Sequence, residues 1–215
     1  MILVFLGPPG CGKGTQAQFL REDCGFCHLS TGEMLRSEVE TKSDLGLKIA
    51  ETMKSGLYVS DEIILDIIKK NLDQAQARDV LFDGFPRTLV QAKAFENVLE
   101  SQGKKVDFVV YFSIADSVLV ERITGRFNCT ECGRVYHEKN NKPQVDGICD
   151  TCGGSRFIRR EDDTEESLQK RLKIYYENTH PLIDFYKNKG ILVEIDSSQS
   201  LNRVKEQVSS VINRF

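Results

Sequence analysis

The chain has 215 residues, of which 40% are hydrophobic and 28% charged, and its formal net charge is −3. This length allows one sizeable core with a small extra module. The slightly acidic balance argues against non-specific nucleic-acid binding as the main activity. The sequence contains no apolar run of about 18 residues and no recognisable signal peptide. We therefore expect a cytoplasmic protein that engages neither a membrane nor a nucleic acid.

Short apolar runs alternate with helical patterns along most of the chain. Continuous apolar runs of this length are typical of strands covered on both faces, and five are predicted: 2–6, 26–29, 80–82, 106–112 and 191–195. Helical patterns lie at 15–24 and 91–102, and an apolar stripe marks a last helix from Leu201 to Val211. The alternation predicts an α/β fold, in which helices flank a parallel five-stranded sheet.

The first predicted strand runs directly into the glycine-rich segment GPPGCGKGT. Residues 7–13 fit the first seven positions of the phosphate-binding pattern G-x-x-x-x-G-K-[ST], with Lys13 placed to reach the β- and γ-phosphates. The next position is Gly14, with Thr15 one residue later, so the usual magnesium-binding hydroxyl is absent from its place. The segment predicts a nucleoside triphosphate site of the P-loop type, with Mg²⁺ held more through water.

Two further segments are candidates for a second substrate. The stretch STGEMLR (30–36) follows the second strand, and FDGFPRT (82–88) follows the third. Ligands bind at the carboxyl ends of strands in open α/β sheets. Asp83 resembles the acidic residue that orients Mg²⁺ in P-loop enzymes, and Arg87 can bind a phosphate through its forked guanidinium. Further arginines cluster around residues 125–162: Arg122, Arg126, Arg159, Arg160 and Arg171.

Residues 125–162 lack a long periodic segment and are interpreted as an insertion. They contain Cys129-x2-Cys132-x16-Cys149-x2-Cys152, a spacing that predicts a closed, structural zinc site. A disulfide pair or an iron-bearing site remains open at this point. Cys24 and Cys27 have the same spacing but no second pair nearby, so we interpret them as structural residues.

After the insertion the helical pattern resumes at 164–188. Asp163 is the predicted N-cap, with Glu166 three residues on, as in a capping box. The dipeptide His180-Pro181 predicts a bend or break.

Several segments taken together resemble the adenylate kinases, in the zinc-bearing, long-lid form found in many bacteria. They are GPPGCGKGTQA (7–17), STGEMLR (30–36), FDGFPRT (82–88) with Gln91, ERITGR (121–126), GRVYH (133–137), RREDD (159–163) and KRL (170–172). The resemblance spans the whole chain. It implies a P-loop core (1–29, 60–124 and 163–215), a helical domain for the nucleoside monophosphate (30–59) and a small zinc-bearing lid (125–162).

The resemblance also implies the reaction ATP + AMP ⇌ 2 ADP, with Mg²⁺ as cofactor and ATP, AMP and ADP as the molecules bound. It implies ATP contacts from Gly10, Cys11, Gly12, Lys13, Gly14, Thr15, Arg126, Val135, Tyr136 and Gln199. It implies AMP contacts from Thr31, Arg36, Leu57, Tyr58, Val59, Gly84, Phe85, Pro86, Arg87, Gln91, Arg160 and Arg171. The catalytic residues that it implies are Lys13, Arg87, Arg126, Arg160 and Arg171, and Asp83 would orient Mg²⁺.

Two residues depart from the family pattern: Glu33 stands where Asp is usual, and Cys11 replaces a small Ala or Ser. The Cys11 thiol is either an inert small side chain or a reactive group at a helix N-terminus.

Three alternative functions fit the sequence less well. Thr31 and Gln91 disfavour a kinase for another nucleoside monophosphate. The mixed charge of 129–152 disfavours a P-loop ATPase that binds nucleic acid or protein through the zinc module. The joint presence of the predicted phosphate-binding cations disfavours an inactive homologue. We expect a monomer.

Overall fold

The central sheet has five parallel strands, which confirms the fold predicted from the apolar runs. The structure is a computed structural model, and it describes residues 1–55, 59–75 and 79–213. The strands are β1 (Ile2–Leu6), β2 (Cys27–Ser30), β3 (Val80–Asp83), β4 (Phe108–Ser113), β5 (Arg126–Cys129), β6 (Val135–His137), β7 (Phe157–Ile158) and β8 (Leu192–Asp196). The helices are α1 (Lys13–Cys24), α2 (Thr31–Glu40), α3 (Asp44–Lys54), α4 (Asp61–Gln74), α5 (Leu89–Ser101), α6 (Asp116–Thr124), α7 (Glu165–Ile174), α8 (Pro181–Asn188) and α9 (Leu201–Ile212).

The strand order β2-β3-β1-β4-β8 brings the segments that follow β1, β2 and β3 to one edge of the central sheet. β2 and β3 lie on one side of β1, and β4 and β8 lie on the other. Such a reversal creates a crevice beyond the carboxyl ends of the strands, where ligands bind in open α/β sheets. The glycine-rich loop follows β1 at this edge, Thr31 follows β2 and Gly84 follows β3. The topology therefore gathers the predicted phosphate loop and the predicted second-substrate segments.

Side chains of β1 alternate between two apolar clusters, one on each face of the sheet. Val4 and Leu6 belong to the cluster that contains Phe82, whereas Leu3 and Phe5 belong to the other. Because helices cover both faces, both sets of alternating side chains are removed from water. This is why the run Ile2–Leu6 is apolar at every position.

The insertion forms a small antiparallel sheet of its own, in the order β6-β5-β7. Its strands have only four, three and two residues. Strands this short leave no detectable period in the sequence, which explains why none was predicted there. Tyr136 stacks on Phe127, and Phe157 meets both rings edge-on. These three rings and the neighbouring cysteines are the core of the insertion.

The predicted break at His180-Pro181 is present, and a π-helical turn (Tyr175–Thr179) precedes it. Proline has no N–H to donate, and its ring clashes with the carbonyl four residues earlier. The π-turn widens the helix before Pro181, and the His180 N–H donates to the Tyr175 carbonyl at 2.9 Å. Pro181 then starts α8, a position at which the missing N–H costs little.

The predicted N-cap of α7 is wrong by one residue. Thr164 is the cap, and its hydroxyl accepts from the Ser167 N–H at 3.2 Å. The Asp163 carboxylate instead accepts from the Arg126 guanidinium, with Nε at 2.8 Å. A charged partner in space therefore takes the carboxylate that the local pattern assigned to the helix end.

None of the helices in the described ranges is long and apolar enough to cross a membrane. The longest, α4, has 14 residues, whereas a spanning helix needs about 20 predominantly apolar ones.

Replacing Phe95 by alanine is expected to lower the free energy of unfolding by about 3–5 kcal/mol. Phe95 is fully buried in α5, with ring centroids 4.7 Å from Phe82 and 5.1 Å from Phe85. The control is Val90→Ala in the same helix, because Val90 is 65% exposed and its loss is expected to change stability by about 0.5 kcal/mol or less. Urea unfolding measures both, and equal effects of the two substitutions would contradict this description of the core.

Candidate active site

A cavity of about 780 Å³ opens at the carboxyl edge of the central sheet. Small-molecule sites have volumes of about 300–1,000 Å³. Most of the predicted site residues line this cavity: Gly10, Cys11, Gly12, Lys13, Gly14, Thr15, Thr31, Arg36, Val59, Asp83, Gly84, Pro86, Arg87, Gln91, Arg126, Val135, Tyr136, Arg160, Arg171 and Gln199. The Phe85 side chain is instead fully buried in the aromatic core. Leu57 and Tyr58 lie outside the described residues.

The glycine-rich loop leads into α1 and leaves the start of that helix without a capping side chain. Gly12 is the N-cap residue. N–H groups at a helix N-terminus attract anions, and the helix dipole adds to this attraction. Gly7 has φ +148°, and a Cβ there would lie 2.7 Å from Cys11 Sγ, so the tight loop requires glycine. The loop therefore has the geometry of a phosphate cradle.

Two side chains of this loop have distinct positions. The Lys13 ammonium donates to the carbonyl oxygens of Gly7 at 2.6 Å and Pro8 at 2.9 Å. Cys11 is only 1% exposed, and its thiol lies 3.4 Å from the same ammonium. The thiol is buried next to Gly7, and whether it is inert or reactive stays a prediction. The ammonium places a positive charge in the cavity wall beside the start of α1.

Asp83 lies at the end of β3 and lines the cavity with the phosphate loop. Its Oδ2 lies 3.6 Å from His28 Nε2, and a Cβ at Gly14 would lie 3.9 Å from the same oxygen, which is an ordinary contact distance. Burial alone raises the pKa of Asp83, but His28 and the cations Lys13 and Arg87 outweigh burial, so its pKa lies below the ordinary value. Asp83 is therefore an ionised oxygen donor beside the loop. Such a group suits a hydrated Mg²⁺ better than a softer metal.

Five arginines meet in the middle of the cavity wall: Arg36, Arg87, Arg126, Arg160 and Arg171. They come from α2, the segment after β3, β5, the segment before α7, and α7. Asp163 accepts from Arg126, and Asp162 accepts from Arg171 at 3.0 Å. Counting Glu33 beside Arg36 and Asp83 beside Arg87, four carboxylates of the described residues face five guanidinium groups. The cluster therefore retains excess positive charge.

This crowding changes the acidity of the guanidinium groups. Burial, then repulsion from Arg126 and Arg36, lowers the pKa of Arg160 to about 10. Burial likewise lowers the pKa of Arg36 and of Arg171, in spite of the neighbouring carboxylates. These guanidinium groups remain protonated at neutral pH. Their burial and mutual repulsion therefore make the electrostatic energy of the folded protein less favourable. Added negative charge at this point would remove that cost.

The carbonyl oxygen of Gly84 joins the second-substrate segments to each other. It accepts from the Thr31 hydroxyl at 2.9 Å and from Arg87 Nε at 2.7 Å. Gly84 has φ +78°, and a Cβ there would lie 2.8 Å from the Thr31 hydroxyl. Only glycine therefore allows Thr31 and Arg87 to approach the same carbonyl.

The four predicted metal ligands of the insertion do come together. Their sulfur atoms all lie within 4.8 Å of one another, with Cys129–Cys152 at 3.6 Å and Cys132–Cys149 at 3.5 Å. Four thiolates bound tetrahedrally at about 2.3 Å from one ion would lie roughly 3.8 Å apart. The set therefore fits a tetrahedral metal. Among the described residues this is the one group of potential metal ligands found, and Cys24 and Cys27 are not part of it.

Two of the cavity-lining residues that were not assigned a site role are Arg122, which the sequence analysis named only among the clustered arginines, and Thr179. Arg122 donates to the Ser197 carbonyl at 2.9 Å, and its place in an arginine-rich segment was the available signal. Thr179 is 5% exposed, and its hydroxyl donates to the Arg87 carbonyl at 2.8 Å. Thr179 lies in the π-turn, 92 residues from Arg87, so no local sequence pattern could have indicated the contact.

Comparison with known proteins gives one consistent family. A family model described as "Adenylate kinase" matches residues 5–191. The chain is 45% identical over 214 residues to a protein named adenylate kinase from Paramagnetospirillum magneticum, covering 99% of each chain. It is 44% identical over 209 residues to one from Caldicellulosiruptor saccharolyticus, covering 97% of each. The chain therefore belongs to the adenylate kinase family.

Proposed function

We propose that this protein catalyses the reversible transfer of the γ-phosphoryl group of ATP to AMP, giving two ADP. The family membership and the full-length relatives named adenylate kinase support this reaction. The observation that carries it is the arginine cluster, because it lies in the same cavity as the phosphate loop and Thr31. Charge spreads over the phosphoryl oxygens during transfer, and positioned cations stabilise it.

On the ATP side, the loop from Gly10 to Thr15 would hold the phosphates, with the Lys13 ammonium on the β- and γ-phosphates. The rest of ATP would be contacted by Arg126, Val135, Tyr136 and Gln199. Mg²⁺, bound with ATP, would neutralise charge on the β- and γ-phosphate oxygens. Asp83 would hold that ion through water, since Gly14 leaves no hydroxyl at the usual ligand position.

On the AMP side, the monophosphate would bind Arg36 and Arg87. The rest of the nucleotide would be surrounded by Thr31, residues 57–59, residues 84–86 and Gln91. Arg160 and Arg171 would contact the AMP phosphate and the transferring group, so that the attacking and leaving oxygens are aligned. No general base is required, because the reaction depends on positioning and electrostatic stabilisation.

We further assign three domains, as the sequence predicted: a core (1–29, 60–124 and 163–215), an AMP-binding domain (30–59) and a lid (125–162). The arginine cluster draws residues from all three. Closure of the outer domains over the core would bring the clustered arginines onto the bound phosphates and exclude water, which would otherwise accept the phosphoryl group.

We propose a structural zinc in the lid, held by Cys129, Cys132, Cys149 and Cys152. Four sulfur ligands leave no open position for catalysis, and the aromatic core of the lid is too small to provide much stability by itself. We also propose a cytoplasmic monomer, as expected from the sequence, which has no apolar run of about 18 residues.

The first test offers AMP, CMP, UMP and GMP separately with ATP and Mg²⁺ and measures ADP formation. We expect strong preference for AMP. Arg87→Ala should lower turnover by about a hundredfold or more, while its fold, followed by circular dichroism, stays intact. Arg203→Ala is the matched control, because Arg203 is 63% exposed and pairs with Glu206 in the same helix. Preference for another monophosphate, or a near-normal Arg87→Ala, would contradict these assignments.

Arg160→Gln is expected to raise the unfolding free energy of the ligand-free protein by about 1 kcal/mol or more. The substitution removes a buried cation from a cluster of like charges. The gain should be constant from pH 7 to 9, because Arg160 is charged in both folded and unfolded states below its lowered pKa of about 10.

Arg156→Gln is the control for Arg160→Gln, since Arg156 is 77% exposed in the same lid. Inorganic tripolyphosphate should stabilise the wild type more than Arg160→Gln. A lower unfolding free energy of Arg160→Gln would contradict this prediction. It would show that the nearby carboxylates fully offset the repulsion among the guanidinium groups.

The purified protein is expected to contain about one zinc per chain by elemental analysis. Cys149→Ser should lose the metal and lower the melting temperature, because the lid then lacks its cross-link. Cys24→Ser is the control, since Cys24 is an exposed cysteine outside the cluster. Iron in place of zinc, or a disulfide detected by mass spectrometry, would overturn the assignment.

A further inference from the structure

The amide of Gln91 has one defined orientation in the cavity wall. Gln91 is 2% exposed, and its Oε1 accepts from the Arg87 backbone N–H at 2.7 Å. Its Nε2 donates to Asp61 Oδ1 at 2.6 Å. A backbone N–H can only donate and an ionised carboxylate can only accept. The two partners therefore fix which end of the amide is oxygen and which is nitrogen.

The Arg87 contact arises from the start of α5. Thr88 is the N-cap, and its hydroxyl accepts from the Gln91 N–H at 3.1 Å. In a capping box the third helical residue reaches back to the N–H of the cap. Here the Gln91 side chain reaches one residue further, to Arg87, and this places its oxygen beside that residue.

The Asp61 contact comes from another part of the chain. Asp61 is the first residue of α4, 30 positions before Gln91. Asp61 is not among the residues that line the cavity, whereas Gln91 and Ile64, one turn further along α4, are. The described contact that connects Asp61 to the cavity wall is its hydrogen bond with Gln91. Asp61 is a positioning residue and not a contact residue.

The two contacts leave a directional pair of groups on Gln91. An amide nitrogen has two hydrogens and an amide oxygen two lone pairs. Among the described residues, one hydrogen is used by Asp61 and one lone pair by the Arg87 N–H. One donor and one acceptor remain, in a fixed order. They complement a 6-aminopurine, whose N1 accepts and whose 6-amino group donates.

A 6-oxopurine presents the reverse pattern, because its N1 carries a hydrogen and its O6 accepts. Against the fixed amide, donor would face donor and acceptor would face acceptor. A buried polar group left without a partner weakens binding by about five- to a hundredfold. Rotating the amide would restore the pairing to the base, but the amide nitrogen would then face the Arg87 N–H, and its oxygen would face the Asp61 carboxylate.

We propose that Asp61 is a specificity-determining residue, which holds the Gln91 amide in the orientation that accepts 6-aminopurine and rejects 6-oxopurine monophosphates. This inference rests on the proposed function, in which Gln91 contacts AMP. The best probe pair is AMP and IMP, because the two bases differ only at position 6 and the N1 hydrogen.

The experiment measures kcat/KM for AMP and for IMP at saturating ATP in four proteins. In Asp61→Ala the AMP-over-IMP ratio is expected to fall at least about tenfold, mainly through a higher KM for AMP. Asp61→Asn keeps an acceptor oxygen and should stay within about threefold of the wild-type ratio. Glu62→Ala is the matched control. It removes an exposed carboxylate from the same first turn of α4, so it controls for the loss of a favourable charge at the helix N-terminus. The AMP-over-IMP ratio of Glu62→Ala should equal that of the wild type.

A merely structural role of Asp61 would lower both activities together and leave the ratio intact. An unchanged ratio in Asp61→Ala, with an active wild type, would overturn this inference and leave the proposed function standing. A wild type that phosphorylates neither nucleotide would overturn the proposed function itself. Should Asp61→Ala fail to fold, Asp61→Ser replaces it, since serine is tolerated at a helix start and is too short to reach Gln91.

Discussion

The repulsion among the guanidinium groups of the cavity is the constraint on which the rest of the structure depends. Burial and like charge lower the pKa of Arg36 and Arg160, so the folded chain holds these cations at a cost. No helix or strand could place five such groups together by itself. The fold distributes them over separate elements around the cavity and opposes them with only a few carboxylates. A bound polyphosphate would supply the missing negative charge.

Several hydrogen bonds in the cavity wall position the backbone around Arg87 from different directions. Its carbonyl accepts from Thr179, its Nε donates to Gly84, and its N–H donates to Gln91. The helical break at Pro181 contributes to this arrangement, because the π-turn before it contains Thr179. A local defect in one helix and a capping interaction in another therefore act on the same residue. Arg87 is consequently held by partners from several parts of the chain.

The lid illustrates a different source of stability. Its strands are too short and its aromatic core too small for hydrophobic burial to dominate. The four sulfur atoms join two distant turns of the lid, and a tetrahedral metal would cross-link them. Arg126 is the first residue of this sheet and Arg160 follows its last strand by two residues, so the stability of the insertion affects the position of two cations of the cluster.

The sequence by itself determined the structural features that depend on residues close together in the chain. Apolar runs predicted the sheet, glycine spacing predicted the phosphate loop, and cysteine spacing predicted the sulfur cluster. These signals are local because strand burial, loop conformation and turn geometry are set within a few residues. Even the start of α7 was predicted to within one residue.

Only the tertiary structure decided which distant groups meet. Asp163 was predicted to cap a helix, but it pairs with Arg126, 37 residues away. The contacts Asp61–Gln91 and Thr179–Arg87 join residues 30 and 92 positions apart in the chain. Neither contact can be predicted from the amino-acid composition or from the spacing of apolar residues. The physical reason is that a hydrogen bond between side chains depends on the packing of whole elements. The charge and orientation of the cavity wall were therefore decided by the fold.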